Sequence, residues 1–170
     1  MVALKITLNL RLHKKELYMP NNCENQLTFT VAKSNPNLFN RLVEAMEQER
    51  FFNEICPLSD SASIDEILNK WDTKWDAYES DCIIDRDTQT ATFIFFTAWK
   101  PPSKVYEQMH KMEDITHYVA TYSETGNAIC GIYTDGLKGE HDVAEYTEDW
   151  IEANLPDCVI ENHNLYEMIT

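Results

Sequence analysis

The polar and apolar positions of the chain first follow the two-residue period of a β-strand and then the period of an amphipathic helix. Apolar side chains at every second position of 26–31 share one face, which predicts a strand. From residue 37 to about residue 53 they recur three and four positions apart, which predicts one helix. Ser34 or Asn35 is the candidate cap of this helix, with Pro36 at its first position.

The middle of the chain predicts a short helix and a β-hairpin. Ser63 and Glu66 have the spacing of a capping box at the start of a helix. An aromatic-rich connector, 71–78, follows. Two β-prone runs, 82–85 and 90–99, flank a polar break, as in a hairpin.

The pattern continues with a helix, a second hairpin and a last helix. Ser103 is expected to cap a helix over 103–112, after two prolines that end the preceding strand. Strands are predicted over 115–122 and 128–133, and a helix over 141–153. A short strand at 158–160 is the candidate for the C-terminal end.

The first six elements have the βαββαβ order of a ferredoxin-like fold, so the predicted class is α+β. Such a sheet is antiparallel and carries its helices on one face, here with an additional C-terminal strand/helix extension. The other face is open, or is covered by Trp71, Trp75 and Tyr78 and the C-terminal helix. The predicted boundaries are a leader or extra strand at 1–18, the ferredoxin-like domain at 19–136 and an acidic helical extension at 137–170. Met19 is a candidate alternative start.

Four short segments, in order along the chain, resemble the motifs of one family. They are Met19–Leu27 (similar to "MPNWCxNxL"), Trp71–Asp76 ("WGTKWD"), Phe96–Pro102 ("F-T-AW-PP") and Tyr122–Gly126 with Gly131 ("Y-E-G…G"). Together they resemble the YubB-like ferredoxin-like domain family of phage, plasmid and prophage proteins. The resemblance implies a ferredoxin-like fold and a mobile-element origin, but no established activity. Asn22 and Asp72 depart from the family's usual Trp and Gly, so a ligand surface at those positions would be altered here.

The net charge of the chain limits the classes of partner that the protein can bind. The 170 residues include 29 Asp and Glu against 14 Lys and Arg, a net charge of −15. This excludes a nucleic-acid binder that works by broad phosphate neutralisation and argues against docking on an anionic membrane. The longest apolar runs are far shorter than a membrane span.

The acidic residues are concentrated at the C-terminal end. Residues 1–18 sum to +3, whereas 139–170 hold nine acids and no Lys or Arg. Such a block is either a solvated face or a surface that steers towards a basic partner or imitates a nucleic-acid backbone. The candidate partner-binding residues are Glu140, Asp142, Glu145, Glu148, Asp149 and Glu152.

The sequence shows no catalytic or metal-binding constellation. Five cysteines form no CxxC pair, and the five histidines (His13, His110, His117, His141 and His163) lack ligand spacing. Cys23 is a nucleophile only if it pairs with a distant histidine, and a buried thiol is the favoured alternative. The carboxylates between Asp72 and Asp87 lack EF-hand spacing. We therefore expect no metal, no cofactor and no enzymatic activity, and free thiols with no secretory signal indicate the cytoplasm.

Two functions from different classes fit these observations. The first is a non-enzymatic accessory protein that binds and inhibits a host protein, a defence or nucleic-acid-processing factor, through its acidic surface. The alternative is a small-molecule or nucleotide-binding domain or enzyme, with a pocket between the 71–78 loop and the 96–102 corner. The candidate pocket residues are Trp71, Lys74, Trp75, Tyr78, Trp99 and Lys100. The aromatic ones could instead fill the core, and direct nucleic-acid binding by an open sheet is disfavoured by the overall charge.

Overall fold

A computed structural model describes residues 21–143 and 147–168, and shows an α+β fold on one six-stranded antiparallel sheet. The strand order is β2-β3-β1-β4-β5-β6. In chain order, the elements are β1 (Asn22–Val31), α1 (Pro36–Glu47), α2 (Phe51–Ile55), α3 (Ile64–Trp71), β2 (Tyr78–Asp85), β3 (Thr90–Ala98), α4 (Ser103–His110), β4 (Ile115–Glu124), β5 (Ile129–Thr134), β6 (Leu137–Asp142), α5 (Glu148–Asn154) and α6 (Asp157–His163), followed by a 3₁₀ turn (Leu165–Met168). The predictions for 1–18, for Met19 and for Glu145 lie outside the described residues.

The main core lies between one face of the sheet and helices α1, α2 and α4. Strand alternation points Leu27 and Phe29 of β1 and Phe93 of β3 into this layer, where all three are fully buried. The Phe93 ring meets Phe29 and Phe51 edge-on, at centroid distances of 5.2 and 5.3 Å. The predicted face of the first strand is therefore confirmed.

The single helix predicted over 37–53 is wrong, because the chain breaks between α1 and α2. Glu49 adopts a left-handed backbone conformation with φ of 52°, which interrupts the helix. Arg50 precedes α2 without a capping side chain, and the Asp76 carboxylate instead accepts the backbone N–H groups of Phe52 and Asn53 at 2.8 and 3.0 Å. A residue from a distant loop thus caps the second helix.

Local capping signals are confirmed at two helices and wrong at a third. Asn35 accepts the Leu38 N–H at 3.1 Å, and Ser63 and Glu66 form the predicted capping box. Ser103 was expected to cap α4, but it is the first residue of that helix. Its hydroxyl donates to Asp72 at 2.5 Å instead, so it joins α4 to the end of α3.

The helix predicted over 141–153 is confirmed only from Glu148 onwards, and the strand predicted at 158–160 is wrong. Gly136, with φ of 81°, allows a tight turn after β5, and the chain returns as β6. The helix starts only at Glu148, after a stretch that includes residues outside the described part of the chain. Residues 158–160 belong to α6, whose apolar side chains bury against the sheet.

Helices α5 and α6 form a second layer on the opposite face of β4 and β5. Cys130 of β5 is fully buried there against Ile151, Leu155 and Val159. His163 is also buried, with Nε2 3.0 Å from the Thr121 hydroxyl of β4. The acidic extension is therefore a packed layer of the fold rather than an appendage.

Trp71 does not cover this second face, contrary to expectation. Its ring lies in the main core, 5.8 Å from Phe52, and its indole N–H donates to the Cys56 carbonyl at 2.8 Å.

Within 21–143 and 147–168, no helix is long and apolar enough to cross a membrane.

Candidate functional site

The four segments that carry the family resemblance meet at one end of the sheet. The Trp99 N–H donates to the Asn21 carbonyl at 2.9 Å, and Cys23 pairs with Glu124 across β1 and β4. Thr73 joins the connector after α3 to the end of β3, because its hydroxyl bonds both the carbonyl and the N–H of Ala98, at 3.0 and 3.1 Å. Residues far apart in sequence thus build one surface region.

Buried or bonded residues alternate with outward-facing ones in the connector after α3. Asp72 accepts the Lys100 ammonium and the Ser103 hydroxyl, both at 2.5 Å. Thr73 is fully buried, and Asp76 is bonded to the N-terminus of α2. These anchors leave Lys74 and Trp75 partly exposed between them. The connector therefore presents two side chains from a fixed backbone.

Lys74 and Trp75 join three other aromatic residues in a continuous patch, which we call the aromatic–lysine platform: Lys74, Trp75, Tyr78, Phe96 and Trp99. The Lys74 Nζ lies 5.2 Å from the ring centroids of both Trp75 and Trp99. Trp75 meets Tyr78 edge-on at 6.0 Å, and Tyr78 packs against Phe96 at 6.1 Å. An ammonium at this distance from two indoles is in cation–π range.

Trp99 combines exposure with a strained backbone. Its side chain is 42% exposed, and its φ is 66°, in the left-handed region that bulky residues avoid. Such a conformation costs about 1–3 kcal/mol, and residues of this kind cluster at binding sites. The bonds of its N–H to Asn21 and of Thr73 to Ala98 hold the turn in place.

The structure brings together four of the six candidate pocket residues. Lys74, Trp75, Tyr78 and Trp99 belong to the platform, whereas Trp71 is a core residue and is excluded from it. Lys100 lies beside the platform, and its ammonium is paired with Asp72. These residues form a partly exposed surface where the 71–78 loop meets the 96–102 corner. Phe96 was missed as a site residue, although its place in an alternating strand next to the corner was visible.

A second candidate surface lies on the acidic layer, where α5, α6 and the last turn enclose a shallow depression of about 440 Å³. We call it the acidic depression; it is lined by Glu152, Asp157, Ile160, Glu161, Asn164 and Tyr166. The Tyr166 hydroxyl donates to Glu152 at 3.1 Å. This bond, together with the negative charges of Glu152, Glu148 and Asp157, raises the pKa of Tyr166. Several carboxylates therefore act on this one hydroxyl.

The structure separates the candidate partner-binding residues into two groups. Glu148, Asp149 and Glu152 are exposed on α5. Glu140 and Asp142 lie on β6, on the opposite side of the sheet, where Glu140 accepts the Tyr122 hydroxyl at 2.8 Å.

Two acids of the depression, Asp157 and Glu161, were missed by the sequence analysis. Their i, i+4 spacing would have revealed them if 157–163 had been recognised as a helix.

Cys23, Cys56 and Cys130 lie inside the fold rather than at a reactive site. Cys23 is fully buried, and burial raises the pKa of its thiol far above the ordinary value. Burial also raises the pKa of Cys130 to about 11. Both thiols are therefore protonated and inaccessible to a substrate. Among the described residues, no three His, Cys, Asp or Glu side chains are grouped so that they could hold a metal ion.

Comparisons of the chain with protein-family models, with curated proteins and with solved structures found no match. The two surfaces are therefore interpreted from their own geometry and charge.

Proposed function

We propose that the protein is a non-enzymatic binding protein that docks on a basic surface of another protein through its acidic C-terminal layer. The observation that carries the proposal is the acidic depression, in which Glu152, Asp157 and Glu161 surround one concave surface. Opposite charge across an interface accelerates association and selects the partner. A lysine or arginine side chain of the partner has the length and charge to enter the depression.

The packing of the layer on the sheet supports this proposal. The carboxylates stand on helices whose apolar sides are buried against β4 and β5, so they need little further ordering when a partner binds. No lysine or arginine occurs between residues 139 and 170 to neutralise them. A packed, one-signed surface is more selective than a solvated charged tail of the same composition.

We further propose that β1 to β4, with α1 and α4, follow the ferredoxin-like topology. The element order βαββαβ supports this assignment, as does the central position of β1 and β3 among the first four strands of the sheet. The resemblance to YubB-like proteins suggests a phage or other mobile-element origin. The partner would then be a host protein, a defence or nucleic-acid-processing factor, which the bound protein inhibits.

The test compares two triple variants with the same change in net charge. Affinity capture from host lysate at low salt first identifies the partner, and the dissociation constant of that complex is then measured. Glu152→Gln, Asp157→Asn and Glu161→Gln together remove the charge of the depression, and we expect binding to weaken at least about tenfold. The control variant carries Glu47→Gln, Glu107→Gln and Glu113→Gln, at exposed positions outside the layer.

Equal weakening by the two triple variants would show that only the net charge matters, and would contradict docking at the depression. Retention of no basic partner at low salt would also remove the proposal. The affinity should fall steeply with added salt, because the interaction is between exposed charges.

A further inference from the structure

The aromatic–lysine platform differs in charge from the rest of the molecule. Segments 69–79 and 99–104, which build and flank it, contain four lysines and three acids, although the whole chain carries −15. Of the three acids, Asp72 is bonded to Lys100 and Ser103, and Asp76 is bonded to backbone N–H groups. The two segments therefore carry a net charge of +1, in contrast to the rest of the chain.

Three of these lysines lie on the connector or bond to residues next to it. Lys74 lies over the two indoles, and Lys100 is bonded to Asp72. The ammonium of Lys104, on α4, donates to the Asn69 carbonyl at 2.8 Å. All three side chains are partly or largely exposed, so each can meet an anionic group of a ligand.

The two indoles lie close enough for one ligand to contact both. Because the Lys74 Nζ is 5.2 Å from each ring centroid, the centroids of Trp75 and Trp99 lie no further apart than twice that distance. Stacking on aromatic side chains is how proteins hold nucleobases outside a duplex. A cationic ligand is disfavoured, because the Lys74 ammonium already lies over both rings.

We propose that the aromatic–lysine platform binds a phosphate-bearing nucleobase, either a free nucleotide or a base in a single strand of nucleic acid. The base stacks on Trp75 and Trp99 where the Lys74 ammonium now lies, and Lys74, Lys100 and Lys104 meet the phosphate. This site is independent of the acidic depression and requires no basic partner protein.

The acidic layer packs mainly on strands other than the one that builds the platform. Its helices pack on β4 and β5, two and three strands from β3, which supplies Phe96 to the platform. Its nearest approach is at β1, where His163 Nδ1 lies 3.4 Å from the Glu24 carboxylate and Glu24 pairs with Phe96. Added salt screens the repulsion between the exposed carboxylates of the layer and an anionic ligand. The overall charge excludes a broad phosphate-neutralising interface but permits a site for one or a few nucleotides.

The experiment measures ligand binding by the full chain. A fluorescein-labelled oligothymidylate of about 12 nucleotides is titrated by anisotropy, and thymidine monophosphate is titrated by quenching of tryptophan fluorescence. Trp75→Ala or Trp99→Ala should weaken binding at least about tenfold, since one stacking surface is lost. Lys74→Ala should weaken binding several-fold and reduce its dependence on salt. Circular dichroism verifies that each variant is folded.

Two control variants alter exposed apolar residues away from the platform, Ile83→Ala on β2 and Leu137→Ala on β6. Neither should change the affinity. Comparable binding of the monophosphate and the oligonucleotide would identify a nucleotide as the ligand, and binding of the oligonucleotide alone would identify a strand. The proposal is overturned if neither ligand binds, or if binding is unchanged by both tryptophan variants. Neither of these two results bears on the proposal that the acidic depression binds a partner protein, because the residues of the depression are unchanged in all these variants.

Discussion

The Asp76 carboxylate joins its own loop to the start of helix α2. It accepts the N–H groups of Phe52 and Asn53 at the start of α2, and its own loop supplies a third N–H from Ala77 at 2.8 Å. Burial outweighs these bonds and raises the pKa of Asp76 to about 6. Asp76 therefore both anchors the connector that carries Lys74 and Trp75 and changes its protonation state near pH 6.

The raised pKa of Asp76 predicts a pH-dependent contribution to stability. As the pH falls through about 6 towards 4, the folded protein takes up this proton before the unfolded chain does, since an unfolded Asp has a pKa of about 3.9. The contribution of Asp76 to the free energy of unfolding should therefore increase on acidification, by up to about 3 kcal/mol. Asp76→Asn removes this titrating group. The wild type should therefore gain stability relative to the variant as the pH falls from 7.5 to about 4.5.

Urea unfolding of the wild type and the Asp76→Asn variant across this pH range measures the difference directly. The other acids contribute equally to both proteins and cancel in the subtraction. A difference that stays constant with pH would mean that Asp76 titrates at the same pH in the folded and the unfolded chain.

At the scale of elements, the β4–β5–β6 region depends on one glycine. The Tyr122 side chain of β4 lies across Gly131 of β5 and reaches Glu140 of β6. A Cβ at Gly131 would lie 2.6 Å from the Tyr122 hydroxyl and 2.3 Å from the Gly139 carbonyl oxygen. The second of these neighbours is backbone and cannot turn away. Only glycine therefore allows both the strand pairing and the tyrosine contact.

Gly131→Ala should reduce the free energy of unfolding by about 2–3 kcal/mol, because the strands must separate to admit the methyl group. Gly139→Ala is the matched control in the adjacent strand, where the nearest atom to the added Cβ is 3.4 Å away. We expect its effect to remain within about 1 kcal/mol. Urea unfolding of both variants tests the difference, and equal destabilisation would refute this account of Gly131.

Elements with a local signal were predictable from the sequence, and those set by tertiary contacts were not. The alternation of β1 and β3 and the capping box of α3 are contained in a few neighbouring residues. The break at Glu49 is stabilised by Asp76, a residue of a distant loop. β6 was mistaken for the start of a helix because its strand conformation depends on pairing with β5. The same limit applies to the platform: its residue types are visible in the sequence, but the position of the Lys74 ammonium over both indoles is not.

At the scale of the whole molecule, the residues that the structure describes form two hydrophobic clusters, on opposite faces of the sheet. The main core holds Cys23 and Cys56, and the cluster under α5 and α6 holds Cys130. The exposed acids of α5 and α6 are held in place by the second, smaller cluster. The acidic surface is therefore only as stable as the few apolar contacts beneath it.

This division predicts that the acidic layer opens independently of the main core. Leu155 is buried in the second cluster, and Leu155→Ala should weaken that cluster by about 2–5 kcal/mol. If the layer opens alone, the rate at which a thiol reagent labels Cys130 should rise about 30-fold or more, whereas labelling of Cys23 and Cys56 should stay slow. Mass spectrometry of the labelled peptides separates the three sites. Parallel acceleration at all three cysteines would mean that the two clusters unfold as one cooperative unit, and that the acidic surface shares the full stability of the sheet.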